Sequence, residues 1–188
     1  MAFVVQRAYR ALLSPHPLAS RDKFAHAVSN VLSLNSLTSP AFELRGGELE
    51  LALREKALLA VTGDVEIVAD GRKVEPWAAF NASESVKVKA NATAYVSVRG
   101  LKATTKRRLP LKSGITFSFD GLDGLNERSL RALRVPHTLR VVNGDWLESV
   151  ARVQRHIGMV LEAIKKGAEQ VKVRVGGREF EVWVLELS

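Results

Sequence analysis

The sequence contains no cysteine, few aromatic residues and no long apolar run. The absence of cysteine excludes disulfides, thiolate catalysis and zinc–thiolate sites. It is typical of cytoplasmic proteins and of proteins from hot habitats, in which thermolabile residues are scarce. No apolar run approaches the ~20 residues that cross a bilayer. The segment Met1–Arg7 is too short for a signal peptide, and its apolar run is interrupted too early by a charged residue. We therefore expect a cytoplasmic protein that does not contact membranes.

Several kinds of catalytic motif are also missing. The four histidines (His16, His26, His137 and His156) are not in a metal-binding spacing. The sequence has neither a phosphate-binding loop nor a serine elbow. We therefore expect no metal site, and no cofactor bound by this chain alone.

The charge balance is basic, with a formal net charge of +8. Such a surface can attract nucleic acid, anionic metabolites or an acidic partner protein. Nucleic-acid binders usually combine clustered charge with aromatic residues for stacking. Here aromatic residues make up only 6%, and the densest basic patch, between Lys102 and Lys112, contains none. The patch is typical of a solvated loop, so nucleic-acid binding is the less favoured interpretation.

The stretch from Ala41 to Gly100 alternates apolar and polar residues, and tight-turn signals interrupt it. Leu49, Leu51 and Leu53 alternate with charged residues, and Asp70-Gly71 favours a two-residue hairpin turn. This pattern predicts half-buried antiparallel strands in a barrel or sandwich.

Two amphipathic helices are predicted beside the strands. The first runs from about Arg21 to Leu34, with Ser20 as its N-cap and Asp22 in its first turn. The second runs from Trp146 to Lys166, with Asp145 as its N-cap, and carries a continuous apolar stripe. We expect this stripe, which includes Ile157 and Leu161, to pack against the strands.

The last residues predict a β-hairpin. Val171, Val173 and Val175 alternate with basic residues, and Gly176-Gly177 supplies the turn. The returning strand places Glu179 and Glu181 across from Arg174 and Lys172.

Two groups of residues are candidates for ligand binding. Asp22, His26 and Asn30 stand four residues apart and share one helix face, which is either a polar wall of a site or a solvated or capping stripe. In the predicted turns between strands, Gly46 and Gly47 allow close backbone approach. Thr62-Gly63-Asp64 combines a hydroxyl, a backbone N–H and a carboxylate, although these glycines could simply form turns.

An ordered set of short motifs resembles one protein family. It comprises Phe42-Glu43, Gly46-Gly47, Val61-Thr62-Gly63-Asp64, Asp70-Gly71-Arg72, Pro76-Trp77 and the segment from Ala94 to Gly100. The set resembles the carboxyltransferase-type family that includes the C component of ATP-dependent 5-oxoprolinase, allophanate hydrolase subunit 2, the KipA proteins and the carboxyltransferase region of urea carboxylase. The resemblance implies a cyclophilin-like β-barrel.

The resemblance weakens along the chain. Leu18-Ala19 replaces the family's Ser-Gly before Asp22, and the segment from His137 to Gly144 resembles the strand and turn that open the family's second half. The family's later motifs have no counterpart. We therefore expect a mainly β protein with a cyclophilin-like barrel, two flanking helices and a C-terminal hairpin. The barrel domain would occupy residues 1–120, and a truncated second part residues 121–188.

Two functions remain open. The resemblance implies the C component of a multi-protein 5-oxoprolinase or allophanate hydrolase system, in which a B-component-like partner is present and ATP is used by the partners. Its ligand would be a small amide or a urea-like compound. Alternatively, the chain is a non-catalytic binding or regulatory module of the same descent. Nothing in the sequence pairs an acid with a base, so we expect no catalysis by the chain alone.

Overall fold

The computed structural model describes residues 1–121 and 127–185, and the predicted mainly β class is confirmed. The strands are β1 (Ala2–Ser14), β2 (Ala41–Leu53), β3 (Ala57–Ala69), β4 (Arg72–Val74), β5 (Ala78–Ala82), β6 (Ser85–Val98), β7 (Leu109–Pro110), β8 (Thr116–Ser118), β9 (Glu169–Val175) and β10 (Arg178–Val184). The helices are α1 (Lys23–Leu32), α2 (Glu127–Ala132) and α3 (Trp146–Lys165). The segment from Asp120 to Asn126, in which two glycines predict a loop, lies mostly outside the described residues.

Eight strands form one antiparallel sheet in the order β4-β3-β6-β2-β1-β7, with β5 also paired to β3 and β8 to β1. The first strand spans 13 residues and pairs with β2 from Phe3–Leu53 to Ser14–Ala41. The sheet therefore begins at Ala2. Among the described residues its two edges, β4 and β7, do not pair with each other, so hydrogen bonds do not close the sheet into a barrel.

The predicted turns at Gly46-Gly47 and Thr62–Asp64 are wrong, because both segments lie inside continuous strands of 13 residues. At both segments the register with β6 shifts at a β-bulge whose extra residues lie in β6, since Gly46-Gly47 lies opposite residues 90–92 and Asp64 opposite residues 91–93. A bulge bends its strand without ending it. At Gly63 the backbone has φ +114° and a Cβ would lie 2.7 Å from the Thr93 carbonyl oxygen, so glycine is required.

The sheet curves around a large apolar core. The inward-facing residues come from every long strand and are almost fully buried; among them are Phe3, Phe42, Leu44, Leu49, Leu51, Leu59, Ile67, Val88, Val96 and Val98. The stretch Ala57–Thr62 of β3 is buried on both faces, because α1 covers its outer side.

Helix α1 begins two residues later than predicted. The N-cap is Asp22 instead of Ser20, and its Oδ1 accepts the N–H of Ala25 at 2.9 Å. An aspartate is at least as good a cap as serine, and its charge favours the N-terminal end of the helix. Ser20 instead bonds to His26.

Helix α3 has the predicted N-cap, since Asp145 Oδ1 accepts the N–H groups of Leu147 at 2.7 Å and Glu148 at 3.2 Å. Its apolar stripe is buried at Val150, Val153 and Ile157. The stripe joins a second apolar cluster with residues of α1, β3 and β5. Helix α3 packs chiefly on α1 and α2, so α1 separates it from most of the sheet.

The C-terminal hairpin forms with the predicted register, in which Glu179 faces Arg174 and Glu181 faces Lys172. It makes a separate two-stranded sheet. The predicted strand from His137 to Gly144 is wrong: a short 3-10 turn, His137–Leu139, occupies its start. Val141 and Val142 are 69% and 43% exposed there, so neither side chain gains the burial that would stabilise a strand.

Among the described residues, no helix combines the length and hydrophobicity needed to cross a membrane.

Candidate functional site

The long strands β1, β2, β3 and β6 all bend at one position. Register shifts fall between Tyr9 and Ala11 in β1, between Arg45 and Glu48 in β2, and between Gly63 and Val65 in β3. A side chain on Gly47 would collide with the Tyr9 carbonyl, so this glycine allows β1 and β2 to bend together. The aligned bulges make a corner on the sheet surface.

A depression of about 480 Å³ lies at this corner and is lined by basic and small residues: Arg10, Arg21, Arg45, Gly46, Asn91, Ala92 and Thr93. We call it the arginine corner. Arg10 and Arg45 come from adjacent strands, and Arg21 directly precedes the N-cap of α1. Three arginine residues from three chain segments therefore line one depression.

A buried carboxylate lies beside these cations. Glu43 is fully buried, and its Oε1 accepts Arg45 Nε at 2.6 Å. Its Oε2 accepts hydrogen bonds from the Arg21 backbone N–H at 3.2 Å and from the Tyr95 hydroxyl at 3.1 Å. The Tyr95 oxygen in turn accepts the backbone N–H of Asp22 at 2.8 Å. Glu43 thus fixes two of the three arginine-bearing segments.

Burial raises the pKa of Tyr95, and the neighbouring Glu43 acts in the same direction. The hydroxyl stays protonated and serves as the donor to Glu43.

The charges leave an excess of positive potential. Arg45 is paired with Glu43, whereas in the described part of the chain neither the Arg10 nor the Arg21 guanidinium has an ion-pair partner. Guanidinium groups form bidentate hydrogen bonds with carboxylates and phosphates. The arginine corner is therefore suited to a small anion.

The predicted helix stripe has a different role. His26 is fully buried; its Nε2 lies 2.9 Å from the Ser39 carbonyl oxygen and its Nδ1 lies 2.5 Å from Ser20 Oγ. Because a carbonyl can only accept, Nε2 carries the proton and Nδ1 accepts from Ser20. Burial lowers the pKa of His26 to about 4, against the opposing effect of the bond to Ser39. The ring is neutral, and because it is fully buried a ligand in solution cannot reach it.

Asn30 is also fully buried, and it joins α1 to the sheet. Its Oδ1 accepts the Ser97 hydroxyl at 2.8 Å, and its Nδ2 donates to the Ser39 carbonyl at 2.8 Å. Asp22 caps the helix. The stripe is thus neither a wall of the arginine corner nor a solvated face, since His26 and Asn30 form a buried polar network.

Of the other predicted site residues, one lines the arginine corner, and the rest lie at its border or stabilise the strands around it. Gly46 lines the depression directly. Asp64 is exposed at its border, where Asn91 Nδ2 donates to Asp64 Oδ1 at 3.3 Å. Thr62 is buried, and its hydroxyl donates to the Ala25 carbonyl at 2.8 Å, which ties β3 to α1. Gly47 and Gly63 shape the bends.

Sequence reasoning missed the three arginine residues of the corner, Arg10, Arg21 and Arg45. It also missed the buried Glu43 beside them, which is hydrogen-bonded to Tyr95. One signal was present, since Glu43 and Arg45 are opposite charges two residues apart and therefore share one strand face, directly before Gly46.

The corner offers binding groups and no proton-transfer pair. Both oxygens of Glu43 are occupied, and Asp64 has no acidic or basic partner among residues 1–121 and 127–185. Within these ranges no three His, Asp or Glu side chains form a metal-binding group.

A second depression, of about 550 Å³, lies between the hairpin, α2 and α3, and includes Arg131, Arg134, Arg140 and His156. Arg134 pairs with both Glu75 and Glu181. These carboxylates offset the local positive charge, so this depression is less suited to an anion than the arginine corner.

Solved structures resemble the fold described above. TTHA0988 aligns with a TM-score of 0.56 and 14% identity over 67% of this chain and 59% of that one. Kluyveromyces lactis urea carboxylase aligns with a TM-score of 0.55 and 14% identity, over 72% of this chain and 16% of that one. K. lactis urea amidolyase aligns with a TM-score of 0.53 and 16% identity, over 63% of this chain and 9% of that one. The chain therefore spans only part of each of these proteins.

Comparison with curated protein sequences gives no significant match. The sequence profile of the family described as "Carboxyltransferase domain, subdomain A and B" matches residues 20–176, which include the arginine corner except Arg10 and also include α3. The match covers most of the chain and agrees with the resemblance of the short motifs, and the chain therefore belongs to the carboxyltransferase domain family.

Proposed function

We propose that the chain is the C component, or a close equivalent, of a cytoplasmic, multi-protein 5-oxoprolinase or allophanate hydrolase system, and that the arginine corner binds the substrate's carboxylate. The observation that supports this most is the convergence of Arg10, Arg21 and Arg45 on one depression. Both 5-oxoproline and allophanate are small amides that carry a carboxylate, whereas urea is neutral. Guanidinium groups favour the two carboxylates over urea.

The chain contributes binding and orientation, and catalysis requires its partner. Opening an amide needs a positioned base and stabilisation of the oxyanion. Glu43 is committed to Arg45, Tyr95 and the backbone of Arg21. A B-component-like partner would supply the base and the ATP-dependent activation.

The second candidate is a non-catalytic binding or regulatory module. The saturated hydrogen bonds of Glu43 and the burial of His26 favour it, since neither group is free to exchange protons with a ligand. In this case the arginine corner would bind the carboxylate of the ligand, and adding a partner protein would not produce turnover.

The test combines turnover with binding. The purified chain is incubated with 5-oxoproline or allophanate, with and without ATP, and then with a partner co-purified from its native extract. We expect no product from the chain alone and turnover with the partner. Turnover by the chain alone that disappears in Asp64→Ala would contradict the proposal, while a partner complex that stays inactive would favour the binding module.

The binding arm identifies the site. Calorimetry with 5-oxoproline should show binding that Arg21→Gln weakens about tenfold or more, the loss of roughly one charge-assisted hydrogen bond. Arg54→Gln is the matched control, since Arg54 is exposed and lies outside the corner. Neutral 2-pyrrolidone, which has the same ring without the carboxylate, should bind more weakly than 5-oxoproline.

A further inference from the structure

The C-terminal hairpin exposes an apolar face. Its members are between 37% and 62% exposed: Val171, Val173, Val175, Phe180, Val182 and Val184. The register pairs Val173 with Phe180 and Val171 with Val182, so these side chains form one continuous surface across the two strands. We call this surface the valine face.

The charged face of the hairpin is turned toward the rest of the molecule. Gln170, Lys172 and Glu181 line a depression between the hairpin and the β4–β5 region. Glu181 pairs with Arg134, which follows α2. A hairpin that packs on a protein normally buries its apolar face, so this orientation is the reverse of the usual one. Contiguous exposed apolar surface of this kind marks an interaction site.

We propose that the valine face is a self-association surface, on which the hairpin of a second copy packs face to face with its strands running in the opposite direction. Glu169 and Arg178 lie at opposite ends of this face, because Glu169 pairs with Val184 at the open end and Arg178 with Val175 at the turn. Both are exposed, and neither has an ion-pair partner in the part of the chain that the structure describes.

Antiparallel stacking places the Glu169 end of each copy over the Arg178 end of the other. Two equivalent ion pairs then form around one apolar centre, as a twofold interface requires. A crossing angle of about 30° between the stacked sheets is the usual geometry. The charges of the face balance, so it complements itself better than it complements a strongly acidic or basic partner.

The size of the face sets the strength of the association. Six half-exposed side chains offer a few hundred Å², which is below the ~800 Å² per partner that a standard stable interface buries. We therefore expect a reversible dimer whose population rises with protein concentration.

The experiment is sedimentation of the full chain over a wide range of protein concentrations. The weight-average mass should rise from monomer toward dimer. Phe180→Glu should lower the association constant at least about tenfold, or 1.4 kcal/mol. Val141→Glu is the control, because Val141 is 69% exposed and lies outside the hairpin, and it should associate like the unaltered chain. Circular dichroism of each variant checks that the fold is retained.

Charge reversal tests the orientation. Glu169→Arg and Arg178→Glu should each weaken association, whereas the double variant should restore it, since the two ion pairs are re-formed with exchanged signs. A chain that remains monomeric at every concentration would overturn the proposal. So would a dimer that Phe180→Glu leaves intact, or single reversals that the double variant does not rescue.

Discussion

Strands β6 and β10 both alternate apolar and charged residues, but their surroundings differ. In β6, Val86 and Val88 point into the core and are at most 2% exposed. In β10, Val182 and Val184 are 37% and 47% exposed. Between them, the central sheet and the C-terminal hairpin show that alternation predicts a strand without predicting what covers its apolar face.

The difference comes from the neighbours of each strand. Strand β6 lies between β2 and β3, and α1 packs on its outer side. Among the described residues the two strands of the hairpin pair only with each other, and an isolated two-stranded sheet is marginally stable in water. The apolar side chains of the central sheet therefore contribute to stability through burial, whereas those of the hairpin remain partly exposed.

Two phenylalanines provide the largest expected contrast between these regions. Phe42 is fully buried, while Phe180 is 48% exposed on the valine face. Phe42→Ala should destabilise the protein by about 3–5 kcal/mol, because it leaves a cavity in the core. Phe180→Ala should cost less than about 1 kcal/mol. Urea denaturation of dilute protein measures both values, and similar costs would contradict the difference in packing.

Helix α3 offers the next largest effect. Ile157 is 5% exposed and packs with residues of α1, so Ile157→Ala should cost about 2–5 kcal/mol. Met159, on the same helix, is 66% exposed, and Met159→Ala should be nearly neutral. Thermal denaturation of the pair checks this. An unchanged melting temperature for Ile157→Ala would mean that the stripe is not buried.

The buried network under α1 predicts a pH dependence. The pKa of His26 is about 4 in the folded protein and ~6.5 when unfolded. The unfolded chain therefore binds more protons between these values, and stability falls as the pH decreases through this range. Between pH 7 and pH 5 the loss should be about 2 kcal/mol.

Two histidine variants isolate this contribution. His26→Gln should flatten the dependence of the unfolding free energy between pH 7 and pH 5. His137→Gln, which removes an exposed histidine, should retain it. If both variants keep the full slope, another group is responsible.

The smallest effect concerns the turn after β3. The Asp70 carboxylate accepts backbone N–H groups of Ser83, Glu84 and Ser85 at 2.8–2.9 Å. Burial acts to raise the pKa of Asp70, but these three donors outweigh it and lower the value. Asp70→Asn keeps the shape and removes the charge, so it should cost about 1 kcal/mol.

Asp64→Asn is the control for this substitution, because Asp64 accepts a single long bond. Urea denaturation at neutral pH compares the two variants, and equal stability losses would argue against a role for the Asp70 carboxylate.

Sequence patterns predict which segments of this protein form strands and helices, but they do not show whether a strand continues through an irregularity or ends there. Alternation locates the central strands, and the Asp145 cap locates α3. The bulges are indistinguishable from turns, because a Gly-Gly pair between apolar runs gives the same signal in both cases. The pairing with β1 on one side and β6 on the other shows that β2 continues through Gly46 and Gly47.

The site is predictable only in part, for a related reason. Gly46 could be found from its own sequence neighbours. The roles of His26 and Asn30 depend on Ser39 and Ser97, the latter 67 residues from Asn30 along the chain. Glu43 resembles the polar half of an alternating strand, and its burial follows from α1 and Tyr95, which cover that face. Local sequence does not contain this information.

The most direct test of the arginine corner as a carboxylate site is a ¹H–¹⁵N NMR titration of the assigned chain with 5-oxoproline at low protein concentration. We predict that the amide signals of Gly46, Asn91 and Thr93 shift with added ligand, and that these shifts are lost in Arg21→Gln. The hairpin signals should stay unchanged by the ligand and should respond to protein concentration instead. Shifts centred on the depression beside the hairpin, with an unaffected corner, would contradict the assignment of the arginine corner as the carboxylate site.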